Sequence, residues 1–209
     1  MKNPFLRFRN EPPAAAQPAQ PVVVVSGLPR SGTSMMMKMV DAGGIPPLTD
    51  ELRAADEDNP KGYYEFERVK DLEKEKDKTW VRDARGKVLK VISFLIKDLP
   101  DDNAYRVVFM RRDLGEVLAS QNKMLAHRGE ANSTSDDTMT EAYLNHLASV
   151  RILARKRPNM EMMEIRYDQT FSSPRETAAR VNQFLGGTLD ETRMTEAVDS
   201  ELYRNRRKP

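Results

Sequence analysis

The sequence predicts an α/β protein with three layers, αβα, around a central and mostly parallel sheet. Two observations support this prediction. Apolar runs of strand length alternate along the chain with segments of helical periodicity. The first run, residues 22–25, consists of four valines without polar alternation, which is typical of a strand buried on both faces. Such a strand requires helices on both sides of the sheet.

The other elements follow from the same patterns in chain order. Strands are predicted over 88–91, 105–110 and 160–165, and helices over 33–40, 69–84, 114–126, 140–155, 174–185 and 189–198. Loops are predicted over 50–60, where acidic residues cluster, and over 129–138, where Ser, Thr and Asp predominate. Gly186 and Gly187 are expected to end the helix that precedes them.

Length and composition suit one globular domain, predicted over residues 21–200. The chain has 209 residues, of which 39% are hydrophobic and 32% charged. Residues 1–20, which mix Pro, Ala and Gln with basic residues, are expected to form a disordered tail, and residues 201–209 a basic tail. A net charge of +2 provides no overall field that would attract nucleic acid, so we expect no nucleic-acid partner.

The chain contains no cysteine and only two histidines, which excludes disulfides and thiolate metal sites. No metal is therefore expected. No apolar run approaches the roughly 18 residues that a membrane span needs, and the first residues lack the hydrophobic region of a signal peptide. We expect a cytoplasmic protein without a membrane span.

The segment SGLPRSGTS, residues 26–34, joins the first strand to the first helix and is suited to binding an anion. A glycine turn before a helix directs backbone N–H groups and a partial positive charge to one point. Gly27 and Gly32 are spaced as in the triphosphate-binding loop G-x-x-x-x-G-K-[ST], but Thr33 replaces the lysine. The missing lysine argues against ATP or GTP hydrolysis and favours a smaller phosphate-containing group.

The residues predicted to contact this group are Arg30, Ser31, Gly32, Thr33 and Ser34. The alternative is a Ser/Gly turn that only caps the helix. Three hydroxyl groups and an arginine are more than a cap requires.

A second candidate site follows the third strand, in RRDLGEVLAS at residues 111–120. An arginine at the carboxyl end of a strand lies where open α/β sheets bind ligands, and its planar guanidinium group suits a phosphate. Arg111 and Arg112 are the two candidates for this role. The competing interpretation is a helix capped by Asp113, with both arginines in solvent.

Together, the two motifs resemble those of the sulfotransferases that use 3′-phosphoadenylyl sulfate. PRSGTS is similar to the family's 5′-phosphosulfate loop, P-[KR]-S-G-T-[ST], and Arg112 with Ser120 matches the spacing of its 3′-phosphate motif. NPKGYYE at 59–65 and IRYD at 165–168, followed by Pro174 and FLG at 184–186, also resemble family segments. The resemblance extends over about residues 21–187.

The resemblance implies a P-loop NTPase-like sulfotransferase fold and an enzyme. Its reaction would move a sulfuryl group from 3′-phosphoadenylyl sulfate to a hydroxyl or amine of a small molecule or glycan, releasing adenosine 3′,5′-bisphosphate. Arg30 would stabilise the transferred charge, and Arg112, Ser120 and Tyr167 would contact the 3′-phosphate. Packing at a strand end is the alternative role for Tyr167. The alternative functions are a kinase-like nucleotide-binding protein and a non-catalytic relative.

The resemblance also implies a catalytic base. Several family members place a glutamate about twenty residues after the basic residue of the loop, which indicates Glu51, with Asp50 beside it. Glu65 is the rival, because two tyrosines precede it and are expected to shield it partly from water. His127, at the end of the Ser120 helix, is a third candidate.

Overall fold

The computed structural model of the chain describes residues 20–50, 64–127, 129–130 and 134–198. Four strands form one sheet in the order β2-β1-β3-β4, and all neighbouring strands are parallel. The strands are β1 (Val22–Gly27), β2 (Val88–Ile92), β3 (Tyr105–Arg111) and β4 (Met160–Arg166). The four predicted strands and their parallel arrangement are confirmed. The predicted tails, residues 1–20 and 201–209, lie outside the described residues except for Gln20.

Six α-helices accompany the sheet in the described part of the chain. They are α1 (Thr33–Ala42), α2 (Leu114–His127), α3 (Asp136–Lys156), α4 (Tyr167–Ser172), α5 (Pro174–Leu185) and α6 (Glu191–Glu196). None of the described helices is long and apolar enough to cross a lipid bilayer.

The sheet separates two hydrophobic cores, as the valine run of β1 predicts. Val22 and Val24 enter one core with side chains of α2 and α3, whereas Val23 and Val25 enter the other with side chains of α1, α5 and α6. This alternation follows from the two-residue side-chain period of a strand. Each of the four valines is at most 4% exposed, so both faces of the strand are covered. The result is the three-layer αβα architecture.

The prediction of a helix over residues 69–84 is wrong. Two short 3-10 helices, Glu67–Asp71 and Thr79–Ala84, take its place. The Asp77 carboxylate accepts hydrogen bonds from the backbone N–H (3.0 Å) and hydroxyl (2.7 Å) of Thr79 and starts a new turn there. Asp side chains compete with helical hydrogen bonds in this way. The Trp80 indole then donates to Glu75 at 2.7 Å while its ring enters the core.

Several predicted boundaries also differ. The loop predicted to extend to residue 138 ends earlier, because Ser135 caps α3 by accepting a hydrogen bond from the Thr138 N–H at 3.2 Å. The last helix is shorter than predicted, since Asp190 caps it through the Arg193 N–H. Gly186 ends α5 with a φ of 118°, as predicted. The 3-10 helix Ser93–Asp98 and the short helix α4 were not predicted.

Candidate active site

The loop between β1 and α1 adopts a conformation that depends on glycine. Gly32 has a φ of 95° and lies against the ring of Tyr167, so that a Cβ added there would be 2.2 Å from Cδ2 of the tyrosine. Gly32 is also the residue before α1, and no side chain caps that helix. The first N–H groups of α1 are therefore directed into the loop, an arrangement typical of anion sites at helix N-termini.

Arg30 joins the loop to the second motif. Its backbone is in the left-handed region, with a φ of 67°, and its Nε donates a hydrogen bond to the Ser120 hydroxyl at 3.0 Å. Arg112 donates from Nη1 to the backbone carbonyl of Arg30 at 3.0 Å. Three residues selected from two separate motifs thus lie in direct contact.

Arg112 is held by a buried ion pair. Its Nε donates to Glu116 Oε2 at 3.0 Å, and the two side chains are only 6% and 8% exposed. The guanidinium carbon also lies 4.3 Å from the centroid of the Tyr167 ring, a cation–π distance. Because a buried charge needs a partner, Glu116 fixes the orientation of Arg112 and, through it, supports the Arg30 carbonyl.

Tyr167 begins α4 directly after β4 and supports both motifs. One part of its ring packs on Gly32, and Arg112 stacks over the ring. The residue is 5% exposed, and this burial raises the pKa of its phenol. The packing role anticipated as the alternative for Tyr167 is present, and its contact with a cosubstrate stays a prediction.

Ser31 carries a hydroxyl group that the protein leaves unsatisfied. The residue is 1% exposed, and within the described residues its buried Oγ has no hydrogen-bond partner. Buried hydroxyls are normally paired, because an unpaired one costs free energy. Its place in the loop, next to Gly32, fits a phosphate oxygen as the partner.

Ser34, at the start of α1, contacts a lysine that sequence analysis did not select. Lys90 on β2 donates from Nζ to the Ser34 hydroxyl at 3.1 Å, and the lysine side chain is 9% exposed. This lysine stands between apolar residues in a strand that both cores cover. A charged residue in such a run was the available signal, because lysine is rarely buried without a function or a partner.

Glu65 lies beside the same lysine. Its Oε1 is 3.6 Å from Lys90 Nζ, and its Oε2 is 3.7 Å from Lys70 Nζ. The Glu65 carbonyl accepts a hydrogen bond from the Thr49 hydroxyl at 2.8 Å, which ties this segment to the one that precedes the undescribed residues 51–63. Glu65 is therefore connected to the loop between β1 and α1 through Lys90 and Ser34.

The other candidate bases differ from Glu65 in their surroundings. The Asp50 carboxylate accepts a hydrogen bond from the Glu67 N–H at 2.6 Å, which is a structural contact. Glu51 lies outside the described residues. His127 is the exposed last residue of α2. Glu65 has a contact that leads to the loop, through Lys90 and Ser34.

A cleft of about 620 Å³ opens at the carboxyl ends of β3 and β4. Arginines and acids line it, namely Arg111, Arg112, Asp113, Glu116, Arg151, Glu164, Arg166 and Asp168. Such a position is where open α/β sheets bind ligands. The cleft reaches Arg112, so it adjoins the contacts between the two motifs.

Arg111 has a different environment from its neighbour Arg112. Its Nη1 lies 3.6 Å from Glu164 Oε2, and within the described residues this buried nitrogen has no hydrogen-bond partner. Burial lowers the pKa of Arg111, and the nearby Glu164 opposes that change. Both arginines line the cleft, and Arg112 in addition braces the loop.

These features define an α/β protein whose strand-to-helix loop has the glycine spacing of a triphosphate-binding loop, with Thr33 at the position of the usual lysine and Arg30 within the loop. The family model of the sulfotransferase domain matches residues 20–208. The chain therefore belongs to the sulfotransferase family, and it is an enzyme that transfers sulfuryl groups. No protein with a curated description matches the sequence.

Solved structures are similar to this chain over most of its length. A sulfotransferase of Mycobacterium tuberculosis has a TM-score of 0.56 and 15% identity, with 86% of this chain and 71% of that one covered. Retinol dehydratase, solved with androsterone and the inactive cofactor PAP, has a TM-score of 0.52 and 19% identity over 90% and 67% of the two chains. The sulfotransferase domain of the Synechococcus olefin synthase has a TM-score of 0.52 and 15% identity over 91% and 85%. These similarities confirm the predicted sulfotransferase fold.

Proposed function

We propose that the donor is 3′-phosphoadenylyl sulfate and that the acceptor is a hydroxyl or amine of a small molecule or glycan. The observation that carries this proposal is the pair of contacts that Arg30 makes, to Ser120 at 3.0 Å and with Arg112 at 3.0 Å. They bring an anion-binding loop and a strand-end arginine together, as a ligand with phosphates at two positions requires. The cytoplasm, predicted from the sequence, is the proposed location.

The loop residues would bind the 5′-phosphosulfate. The unsatisfied Ser31 hydroxyl, the uncapped N–H groups of α1, and the hydroxyls of Thr33 and Ser34 suit phosphate oxygens. Arg112 and Ser120 would bind the 3′-phosphate, with Tyr167 behind them. Lys90 adds a second cation on the Ser34 side of the loop.

The reaction requires a base and stabilisation of the leaving group. The cosubstrate supplies a sulfuryl group activated by its bond to the 5′-phosphate. The acceptor atom forms a bond to sulfur, the bond between sulfur and the phosphate oxygen breaks, and adenosine 3′,5′-bisphosphate leaves. We assign Glu65 to take the acceptor's proton, with Glu51 as the alternative. Arg30 and Lys90 stabilise the charge that develops on the leaving phosphate.

Calorimetry with adenosine 3′,5′-bisphosphate and with ATP plus Mg²⁺ tests the donor. We expect micromolar binding of the bisphosphate, weakened at least about tenfold by Arg112→Ala and by Ser120→Ala, which each remove a phosphate contact. Asp83→Asn, a change at an exposed position of the 3-10 helix Thr79–Ala84, is the control and should leave the affinity unchanged. Preference for ATP would instead identify a kinase-like protein.

Transfer of labelled sulfate to a library of alcohols, amines and glycans tests the chemistry. We expect Glu65→Gln to lower kcat about a hundredfold or more without changing bisphosphate binding, since general bases contribute effects of this size. An equal loss in Glu51→Gln with no loss in Glu65→Gln would move the base to Glu51. Binding of the bisphosphate without transfer to any acceptor would favour a non-catalytic relative.

A matched pair of lysines tests the second cation. Lys90 and Lys70 lie 3.6 and 3.7 Å from Glu65, but Lys70 is 53% exposed and Lys90 is 9% exposed. We expect Lys90→Met to lower kcat strongly and Lys70→Met to have little effect, because only Lys90 contacts the loop. Similar losses in both variants would mean that the lysines act only through Glu65.

A further inference from the structure

Helix α3 presents an exposed stripe whose pattern reads the same in both directions. Glu141, Leu144, Ala148, Ile152 and Arg155 are all exposed and are separated by three, four, four and three residues. At 3.6 residues per turn, all five lie within about 40° of the line along the helix through Ala148. We call these five residues the α3 stripe. Its centre is apolar and its two ends carry opposite charges.

The apolar part of the stripe is unusual on this surface. Leu144 and Ile152 are 53% and 52% exposed, and they are two of the four large hydrophobic residues that are exposed in the described part of the chain. The opposite side of α3 packs into a core through Tyr143, Leu147 and Val150. The stripe therefore is a second apolar face of a helix whose first face is already buried.

The opposite charges at the two ends of the α3 stripe, Glu141 and Arg155, can pair with each other only between two copies of the helix. Within the described residues, neither Glu141 nor Arg155 takes part in a hydrogen bond or ion pair. They are 14 residues apart in sequence, which is about 21 Å along a helix and too far for contact. In an antiparallel pair of α3 helices centred on Ala148, Glu141 of each copy faces Arg155 of the other. Leu144 faces Ile152 in the same arrangement.

We infer that a second copy of this chain docks on the α3 stripe, with a two-fold axis at Ala148. A two-fold interface requires a self-complementary surface, and the palindromic spacing with opposite charges at its ends meets this requirement. One pair of helices buries less area than a standard interface, so the dimer is expected to be weak, with a dissociation constant in the micromolar range. The partner is therefore another copy of this protein. The proposed sulfuryl transfer does not require this dimer.

Sedimentation between about 1 and 300 μM protein tests the interface. We expect reversible dimerisation that Leu144→Glu abolishes, because each copy would place a carboxylate against Ile152 of the other. Glu141→Arg and Arg155→Glu should each weaken the dimer about tenfold by creating two like-charged pairs, and the double variant should restore it. Because the double variant contains both changes, recovery of the dimer in it would exclude a folding defect as the cause of the weaker association in the single variants.

Crosslinking provides an independent test, because the natural chain has no cysteine. Under mild oxidation, Ala148→Cys should form a disulfide-linked dimer, since its two copies meet at the axis. Ala142→Cys is the matched control, because it is an exposed alanine of the same helix about 120° away from Ala148. A chain that stays monomeric over the whole range would overturn the inference. So would equal crosslinking at the two positions, or a dimer that the charge reversals do not affect.

Discussion

The two halves of the carboxyl edge of the sheet are built in opposite ways. After β1, the loop at residues 26–34 is rich in glycine and hydroxyl residues, and its Gly32 packs so closely against Tyr167 that a single added carbon has no room. After β3 and β4, the edge opens into a cleft of about 620 Å³ walled by charged side chains. Steric fit determines the conformation of the first half, and charge pairing determines that of the second half. Substitutions should therefore act by different physics in the two halves.

The largest expected effect tests the steric fit of the loop after β1. Gly32→Ala places a Cβ 2.2 Å from Tyr167 and requires a φ of 95°, so we expect the free energy of unfolding to fall by about 3 kcal/mol. Bisphosphate affinity should fall at least about a hundredfold, since the α1 N–H groups move. Chemical denaturation and calorimetry measure the two quantities.

Gly44→Ala is the matched control for this prediction. Gly44 has a φ of 114° but nothing within 4 Å of an added Cβ, so only backbone strain of about 1 to 2 kcal/mol is expected. Equal losses of stability in the two variants would show that the contact with Tyr167 does not restrict the loop.

The next effect tests charge pairing at two levels of burial. Glu116→Gln removes the carboxylate that pairs with the buried Arg112, and we expect a loss of about 2 kcal/mol in the free energy of unfolding. Asp168→Asn breaks the ion pair between Asp168 and Arg166, whose side chains are 47% and 66% exposed, respectively. This change should lower the free energy of unfolding by less than about 0.5 kcal/mol. Urea denaturation measures both changes. Similar costs for the two variants would contradict the assignment of the Arg112 pair as a brace.

The smallest effect compares a partly buried histidine beside β2 with the charged half in their response to acid. Beyond β2, His146 contacts the Ser93 hydroxyl at 2.8 Å and stacks on Phe94, and burial lowers its pKa from the ordinary 6.5. The unfolded chain then takes up a proton before the folded one, so stability falls as pH drops below about 6.5. Thermal melts should show this loss reduced in His146→Gln, with the exposed His127→Gln as the control.

In the charged half, the corresponding group responds at lower pH. The hydrogen bond from Arg151 holds the pKa of Glu164 below its ordinary 4.5. Its contribution to stability is present above that value and is lost as the pH falls through the lower folded pKa. Thermal melts of Glu164→Gln should therefore differ from those of the natural chain in their response below about pH 4.5. A Glu164→Gln effect centred near pH 6 would contradict the division into two halves.

The packed half was largely predictable from the sequence, and the charged half was not. Four consecutive valines have few alternatives to a doubly buried strand, and the glycine spacing of SGLPRSGTS restricts the loop that follows. By contrast, Arg112 and Glu116 resemble a solvated helix start in the sequence, whereas in the fold they form a buried ion pair and Arg112 stacks over Tyr167. Pairings of that kind depend on tertiary distance, which no local pattern contains.

The same reason explains the wrong helix over residues 69–84. Its charged residues have helical spacing, but Asp77 bonds to Thr79 and Glu75 bonds to the Trp80 indole. These side-chain contacts compete with the backbone ladder that the pattern assumed. Lys90 was overlooked for a related reason, since its value depends on Ser34 and Glu65, which are distant in sequence.

The hydrogen bond between Arg30 and Ser120 has one more consequence. It occupies one of the five N–H donors of the guanidinium group and leaves the Ser120 proton able to donate. Both side chains are thus oriented before any anion arrives, and part of the entropic cost of ordering them is met during folding. Under the proposed function, the bond links side chains of the two phosphate positions, and we expect occupation of one position to change the affinity of the other. A ligand with a phosphate at each end would gain from this coupling, whereas a ligand with only one would not.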